Sequence, residues 1–568
     1  MRTRATLLVL AMALPLAPAA QAAENVAVAN SPAAYSTPRI VAQQGDSLRF
    51  HNLDAVAGHD LDSTNGKFGS PVIPFGQSTP VAGVEKLTPG DYGFLCSIHP
   101  NMTGTLTVTA GSGGGLPGIP GAPAPDPDSP SAPNPVTLLP KAPTGPPRGT
   151  SEWPFYGRDL SNSRDGGSDG PSYNEVPRLA PAWIHSSQDG DYTGTPVVAG
   201  GQVVVGSSGG TVTALDAETG KERWSHDFDK PINASAAISQ GTVYIPLVVP
   251  GRPSVAALDA ETGRVLWETV IDTQPTADTY GSPAVWDGKV FIGTSGFFGE
   301  QVSEVDVQAR GSVVALDAVT GERRWKTYTV PEGHDGGAVW STPAIDTEAR
   351  RLYVGTGNAY HDPVGPMTDS MVAMDPDSGE VIDHFQAVAG DAWNGVEDWP
   401  ENPDADFGSS PNLFTGPGGR KLVGQGAKSG LYWALDRGSM NPVWNTRTGP
   451  GTFSGGVIGS TAVDDDRIYG SIAPGALAWA LERDGRLAWT SPNGGPLNYG
   501  AVSVSNGVAY ANDLSGVLVA REAQTGLMLA RLPLGAPAWG GVSIAGGTVF
   551  TATGTGGTPG YVFAFRPR

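Results

Sequence analysis

"TVTALDAETGKERW", residues 211–224, is the first clear copy of a segment that returns down most of the chain. It recurs as "SVAALDAETGRVLW" (254–267) and "SVVALDAVTGERRW" (312–325), then more loosely as "SMVAMDPDSGEVIDHF" (370–385), "GLYWALDRGSMNPVW" (430–444), "GALAWALERDGRLAW" (475–489) and "GVLVAREAQTGLMLA" (516–530). Strand pairs such as "GGQVVVGSS", "DGKVFIGTS" and "RRLYVGTGN" sit between the copies. The aligned acids Asp216, Asp259, Asp317, Asp375, Asp436, Glu482 and Glu522 lie 40 to 61 residues apart, the length of one four-stranded propeller blade with variable loops. The coils of a parallel β-solenoid are usually shorter. An eighth copy ends at "GYVFAFRPR" and lacks the closing strand, but "VPRLAPAWIHS" (176–186) carries Leu179 and Trp183 at the spacing of that strand. The first strand is expected to close the last blade, making an eight-bladed β-propeller without open edges.

Outward from this repeat the chain changes character. Its 568 residues exceed one ordinary domain, and 79 glycines with 50 prolines favour strands and turns, so the expected class is all-β. Residues 1–23, "MRTRATLLVLAMALPLAPAAQAA", have two arginines, an apolar run and small residues at Ala20 and Ala22, the pattern of a signal sequence that is too short to span a membrane. No other stretch is apolar enough for a membrane span, so the expected location is outside the cytoplasm, secreted or periplasmic. The formal charge of -21 repels phosphate backbones, and nucleic acid is not an expected partner. Residues 24–110 alternate apolar and polar in "RIVAQQGDSLRFHN", "YGFLCSI" and "GTLTVTA", which predicts a small β-sandwich. Residues 111–150 have almost nothing apolar to bury and form a Pro/Gly-rich linker, and residues 151–568 form the propeller.

The chain has a single cysteine, Cys96, in "DYGFLCSIHPNMTGTLTV" (91–108). A lone thiol in an exported protein is either buried and inert or bound to something, since it has no partner in its own chain. Cys96, His99 and Met102 follow the pattern C-x2-H-x2-M, and "NLDAVAGHDLDS" upstream offers His59. Two imidazoles, a thiolate and a long axial thioether make a type 1 copper site. The stretch resembles the cupredoxin family, and its amicyanin-like members in particular, over essentially all of residues 24–110. That resemblance implies copper held by His59, Cys96, His99 and Met102, with Asn52 tying the ligand loops together. His51 reads as a strand residue.

The propeller repeat resembles that of pyrroloquinoline quinone (PQQ) dehydrogenases, and "SEWPFYGRDLSNSRDGG" (151–167) is similar to the polyvinyl alcohol dehydrogenase group. Scaffold propellers such as the outer-membrane assembly factor BamB share the repeat, so the informative segments are those that do not repeat. "GGAVWSTPAIDTEARRLYVGTGN" (336–358) implies that Trp340 stacks beneath the quinone and Asn358 binds a calcium ion. "GQGAKSGLYWALD" (424–436) implies Lys428 as the cation at the quinone oxygens. "GDAWN" (390–394) followed by "DADFGSSPNL" (404–413) matches the stretch that holds the catalytic base. There the chain departs from the family: Asn394 stands at the base's position, and an amide takes no proton from an alcohol, so the base is Asp391, Asp404 or Asp406. The family's calcium-binding glutamate falls at Phe298, leaving Glu300 or Glu304 as substitutes. With one cysteine the chain has neither the adjacent-cysteine disulfide of many relatives nor a haem-attachment motif.

Two functions follow. In one, a secreted quinoprotein dehydrogenase oxidises a small or polymeric alcohol, and PQQ passes electrons to the tethered copper domain and on to a redox partner protein. In the other, a copper-binding electron carrier is fused to a non-catalytic, partner-binding propeller. Asn394 and the displaced glutamate favour the second, the remaining channel residues the first.

Overall fold

The computed structural model describes residues 24–30, 34–35, 39–52, 59–73, 78–97, 102–110, 152–296, 307–393, 404–451, 455–473, 477–492, 499–555 and 560–568. The expected signal sequence and linker, together with His99, Phe298, Glu300, Glu304 and Asn394, lie outside these residues. The chain divides into two units, Met1–Ser131 and Ala132–Arg568, at a point within the expected linker.

The first unit has two four-stranded sheets. One runs Ala34–Tyr35, Glu24–Asn30, Ser47–Asn52, Ser78–Pro80, and the other Arg39–Gln43, Thr103–Thr109, Gly90–Leu95, Asp62–Ser63. Each contains one parallel pair, Glu24–Asn30 with Ser47–Asn52 and Arg39–Gln43 with Thr103–Thr109. The two-residue period sends Leu48 and Phe50, Tyr92 and Phe94, and Leu106 and Val108 into one core. The same alternation carries past the end of Gly90–Leu95 and buries Cys96 beside Met102.

The second unit is a ring of eight sheets. The third adds a short strand, Ala277–Asp278, which pairs with the C-terminal end of Lys289–Gly296. The last is completed from the other end of the propeller sequence: Tyr561–Pro567 pairs antiparallel with Leu179–Ser186, placing Ala564 opposite Trp183 and Pro567 opposite Leu179. The all-β class and the eight-bladed closure expected from the repeat are both present. Burial falls outward within a blade, so Gln202–Gly206 is buried throughout, whereas in Glu222–Asp227 Trp224 alone is buried. The core is a set of wedges between neighbouring sheets, as where Val204 and Ala214 pack on Ile238, Ile245 and Ala256.

The repeated residues build the joints between blades. The acid caps its turn: Asp216 Oδ1 accepts from Thr219 N at 2.9 Å and Thr219 Oγ1 at 2.8 Å, and Asp259 and Asp317 repeat the pattern with Thr262 and Thr320. The glycine that follows adopts positive φ, and the preceding blade's tryptophan packs where a Cβ would stand: Trp183 on Gly220, Trp224 on Gly263, Trp267 on Gly321. Each of these indoles also donates its Nε1 to a carbonyl of the same turn, Trp183 to Ala217, Trp224 to Ala260 and Trp267 to Ala318. The "D…TG…W" pattern is thus one latch read across two blades.

Two further circles of bonds hold the ring at its axis. Thr195 N donates to Ser235 Oγ, Ser235 N to Ser282 Oγ, Ser282 N to Thr342 Oγ1, Thr342 N to Ser410 Oγ, Ser410 N to Ser460 Oγ, and Gly541 N to Thr195 Oγ1. Outside this circle the segment around Trp153–Asp169 bonds by its backbone to the inner-strand residues Val198, Ile238, Ile345, Leu413, Val463 and Val504 and to Gly547 in the turn after the last blade's inner strand. Ala501 and Gly541 interrupt the hydroxyl circle, and the buried Arg164 spans that interval by donating to Val502 O, Ser503 Oγ and Val542 O.

Candidate functional site

In the first unit His59 and Cys96 are both fully buried, with His59 Nδ1 3.5 Å from Cys96 Sγ. Two ligands on one metal ion, with bonds of roughly 2.0–2.3 Å, stand roughly 3.6 Å apart. His59 is fixed by a two-way bridge to Ile73 (3.1 and 2.8 Å), and Asn52 Nδ2 donates to the Ile73 carbonyl at 2.8 Å. Met102 is buried and its carbonyl accepts from Cys96 N at 3.0 Å. The tie between the ligand loops comes from a residue the sequence reading did not single out. Buried Asp60 accepts from Ser97 N at 2.6 Å through Oδ1 and from the Ser97 hydroxyl through Oδ2, while its own carbonyl accepts from Tyr35 Oη at 2.6 Å. Asn52 thus steadies the His59 side, and Asp60 joins it to Cys96.

In the propeller, the residue two places before each member of the hydroxyl circle faces the axis. Tyr280, Trp340, Tyr499 and Trp539 are the aromatic members, and they line a cavity of about 610 Å³. Gly408 occupies the same place in the fifth blade, and the Trp340 indole extends across it, where a Cβ would overlap the ring. Asn358, Asp406, Lys428 and Asp278 are among its polar lining, with Thr193, Asn233 and Ser295. Asp406 is the hub: Oδ2 accepts from Trp340 Nε1 at 3.1 Å and lies 3.0 Å from Lys428 Nζ, and Oδ1 accepts from Asn358 N at 2.8 Å. Lys428 Nζ also donates to both oxygens of buried Asp404, at 2.8 and 2.9 Å, and stands 5.6 Å from the centre of the Trp340 ring. Asn358 Nδ2 donates to the carbonyls of Ala359 (2.6 Å) and Trp393 (2.7 Å), which leaves Oδ1 as its acceptor end.

Asp391 lies behind this wall rather than in it. Its Oδ2 accepts from Ala405 N at 2.9 Å, its Oδ1 has no hydrogen-bond partner among the described residues, and burial pushes its pKa up. Asp369, fully buried with neither oxygen bonded among the described residues, is held well above the carboxylate range by burial first and by Asp391 next.

Two family profiles match the chain. One described as "Outer membrane protein assembly factor BamB" covers residues 178–382 and 368–565, and one described as "Cupredoxin-like domain" covers residues 4–108. A polyvinylalcohol dehydrogenase from Pseudomonas sp. is 30% identical over 480 residues, 72% of this chain and 73% of that protein. Another polyvinylalcohol dehydrogenase, from Sphingopyxis sp. strain 113P3, is 29% identical over 485 residues, again 72% and 73%. The crystal structure of quinohemoprotein alcohol dehydrogenase from Comamonas testosteroni superposes with a TM-score of 0.62 at 23% identity, over 73% of this chain and 80% of that one, and so shares the fold. The chain belongs to the PQQ-dehydrogenase propeller family, with a cupredoxin-like domain ahead of the propeller.

Against a PQQ-dehydrogenase propeller the cavity fits a flat quinone: an indole seated on a glycine for a floor, aromatic walls and an ammonium beside them. Calcium fits less well. Among the described residues no three His, Cys, Asp or Glu side chains cluster to hold a metal, and Asn358 is the one described donor of the expected pair. Of the residues expected from sequence, Trp340, Asn358, Lys428 and Asp406 line one cavity, whereas Asp391 and Asp404 stand outside its lining. Sequence reasoning missed Asp278, Asp369 and Asp60. Only Asp60, next to the ligand His59, carried a local signal.

Proposed function

We propose that the chain is a secreted quinoprotein dehydrogenase that oxidises small or polymeric alcohols at the propeller axis and passes the electrons through a tethered type 1 copper centre to a redox partner protein. The observation that carries this reading is the convergence of Trp340, Asn358 and Lys428, from two separate segments of sequence, on one cavity with an aromatic floor. PQQ bound there would supply a two-electron acceptor, and copper a one-electron exit. Trp340 offers the stacking face, Lys428 places positive charge where a quinone oxygen gains negative charge, and Asp406 holds both in register. Of the candidate bases Asp391, Asp404 and Asp406, only Asp406 stands in the cavity lining, and it is the one placed to take the alcohol's proton. Asn358 Oδ1 is the described donor for calcium. His59, Cys96, His99 and Met102 hold the copper, and the 3.5 Å separation of His59 Nδ1 from Cys96 Sγ supports that set.

One observation favours the second reading, a copper-binding electron carrier with a non-catalytic, partner-binding propeller. Two carboxylates, Asp404 and Asp406, already neutralise Lys428, and Asp391 does not face the cavity. Full-length protein loaded with copper should be blue from thiolate-to-copper charge transfer. With PQQ and calcium added it should bind the quinone in calorimetry, and the blue colour should bleach on addition of an alcohol. A blue protein that binds no PQQ would leave the second reading standing.

A further inference from the structure

We propose that Asp278 receives a carboxylate of the bound quinone as a protonated acid, the two groups sharing one proton, so that quinone binding takes up a proton from solution. The proposal rests on the PQQ reading above and adds to it a site for the anionic end of the ligand. Asp278 is fully buried yet lines the 610 Å³ cavity, on the extra strand that only the third blade has. Its Oδ1 accepts from Thr279 N at 2.9 Å, the Tyr280 hydroxyl stands 3.3 Å from Oδ2, and the Val249 amide also bonds the carboxyl, so Oδ2, with its long hydroxyl contact, is where a proton can sit and be shared.

Among the described residues no ion pair joins it to a cation. Asp278 is packed by Ser295 and Gly296 of the neighbouring strand and by the turn whose Gly251 N donates to the Ala277 carbonyl at 2.7 Å, and Tyr360 Oη reaches Gly296 N at 3.2 Å. Among the described residues, Tyr280 and Tyr360 are the titratable side chains of this wall. Arg252 lies on the nearby turn, and Lys428 and Asp406 stand elsewhere in the lining. Burial raises its pKa to about 7, against the opposing pull of the Thr279 and Val249 amides and the Tyr280 hydroxyl. PQQ carries three carboxylates, and Lys428, the ammonium among the described lining residues, is already paired with Asp404 and Asp406. An ionised Asp278 would repel such a ligand, whereas the neutral acid donates a hydrogen bond to it.

The sign follows from which form binds. Below pH 7 Asp278 is already neutral, and affinity should not depend on pH. Above pH 7 each bound ligand must bring one proton to Asp278, and the Kd should rise about tenfold per pH unit. Calorimetry of the full-length protein with PQQ and calcium, from pH 6 to 9 in two buffers of different ionisation enthalpy, reads both the Kd and the proton taken up. Wild type should take up close to one proton per PQQ at pH 8.5. Asp278→Asn, which keeps a donor without a charge, should bind at pH 8.5 as wild type does at pH 6, with no proton uptake. A flat wild-type profile without uptake, or an Asp278→Asn variant with the wild-type slope, overturns the proposal and leaves the PQQ reading intact. No PQQ binding at any pH defeats the PQQ reading and this proposal together.

Discussion

Asp60 and Trp340 show how much a single side chain can do in each unit. Asp60 is a buried carboxylate whose Ser97 bonds tie the His59 loop to Cys96. Replacing it with alanine removes two bonds to a charged acceptor and leaves the exposed Ser97 to water, which should lower the stability of the copper-free domain by about 1.5 kcal/mol in urea unfolding. Trp340 is the floor of the cavity, with Gly408 beneath it and Asp406 on its Nε1. Trp340→Ala should weaken PQQ binding by about 2 kcal/mol, roughly thirtyfold in Kd by calorimetry, while the blue colour of the copper centre stays unchanged. Both residues are plain letters in the sequence. Asp60 follows a histidine that the copper motif singles out, and Trp340 departs from a repeat whose other axial positions hold threonine, asparagine, tyrosine, glycine or isoleucine as well as tryptophan.

Among the elements, the strand Leu179–Ser186 carries the greatest consequence, because it comes from the start of the propeller and completes its last sheet. Its Trp183 also latches onto Gly220 and Ala217 of the first blade, so one strand joins both ends of the ring. Trp183→Ala should cost about 3–5 kcal/mol in thermal unfolding of the propeller, as for other large buried aromatic truncations. Deleting residues 151–186 should do more, since it exposes the edge of Tyr561–Pro567 and removes the Trp153–Asp169 strap; size-exclusion chromatography should show aggregates rather than a monomer. The strap itself was legible only as a resemblance. Its physical meaning, backbone bonds to inner strands round the ring with Arg164 filling the interval left by Ala501 and Gly541, needed the structure.

For the whole molecule, the two units each close a core of their own, one of them the cluster around Phe50, Phe94 and Leu106, the other the wedges between blades. Cutting the chain near Pro140 should therefore leave both parts folded, with circular dichroism of the mixture equal to that of the intact chain and copper still bound by the smaller part. No helix among the described residues is long and apolar enough to cross a membrane. Under the proposed function the chain joins a two-electron centre to a one-electron centre through 40 residues of sequence rich in proline and glycine, from 111 to 150. A tether of that composition and length raises the effective concentration of one unit around the other to the order of millimolar.

The sequence by itself determined the blade count and the copper motif. A repeat must place the same latch residues at each joint, so Asp, Gly and Trp recur at a readable spacing, and three of the four candidate copper ligands, Cys96, His99 and Met102, fall within seven residues where their chemistry can be read together. The cavity was only partly legible. Trp340, Asn358 and Lys428 stood in segments that broke the repeat, but Asp278 lies 62 positions before Trp340 in an insertion without a motif, and Asp369 is flanked by ordinary blade residues. Only the tertiary structure decided that Asp278 shares a cavity with Lys428 while Asp391 does not, because eight blades bring to one axis residues far apart along the chain. The charge balance at that axis is a sum over blades, and no single segment contains it.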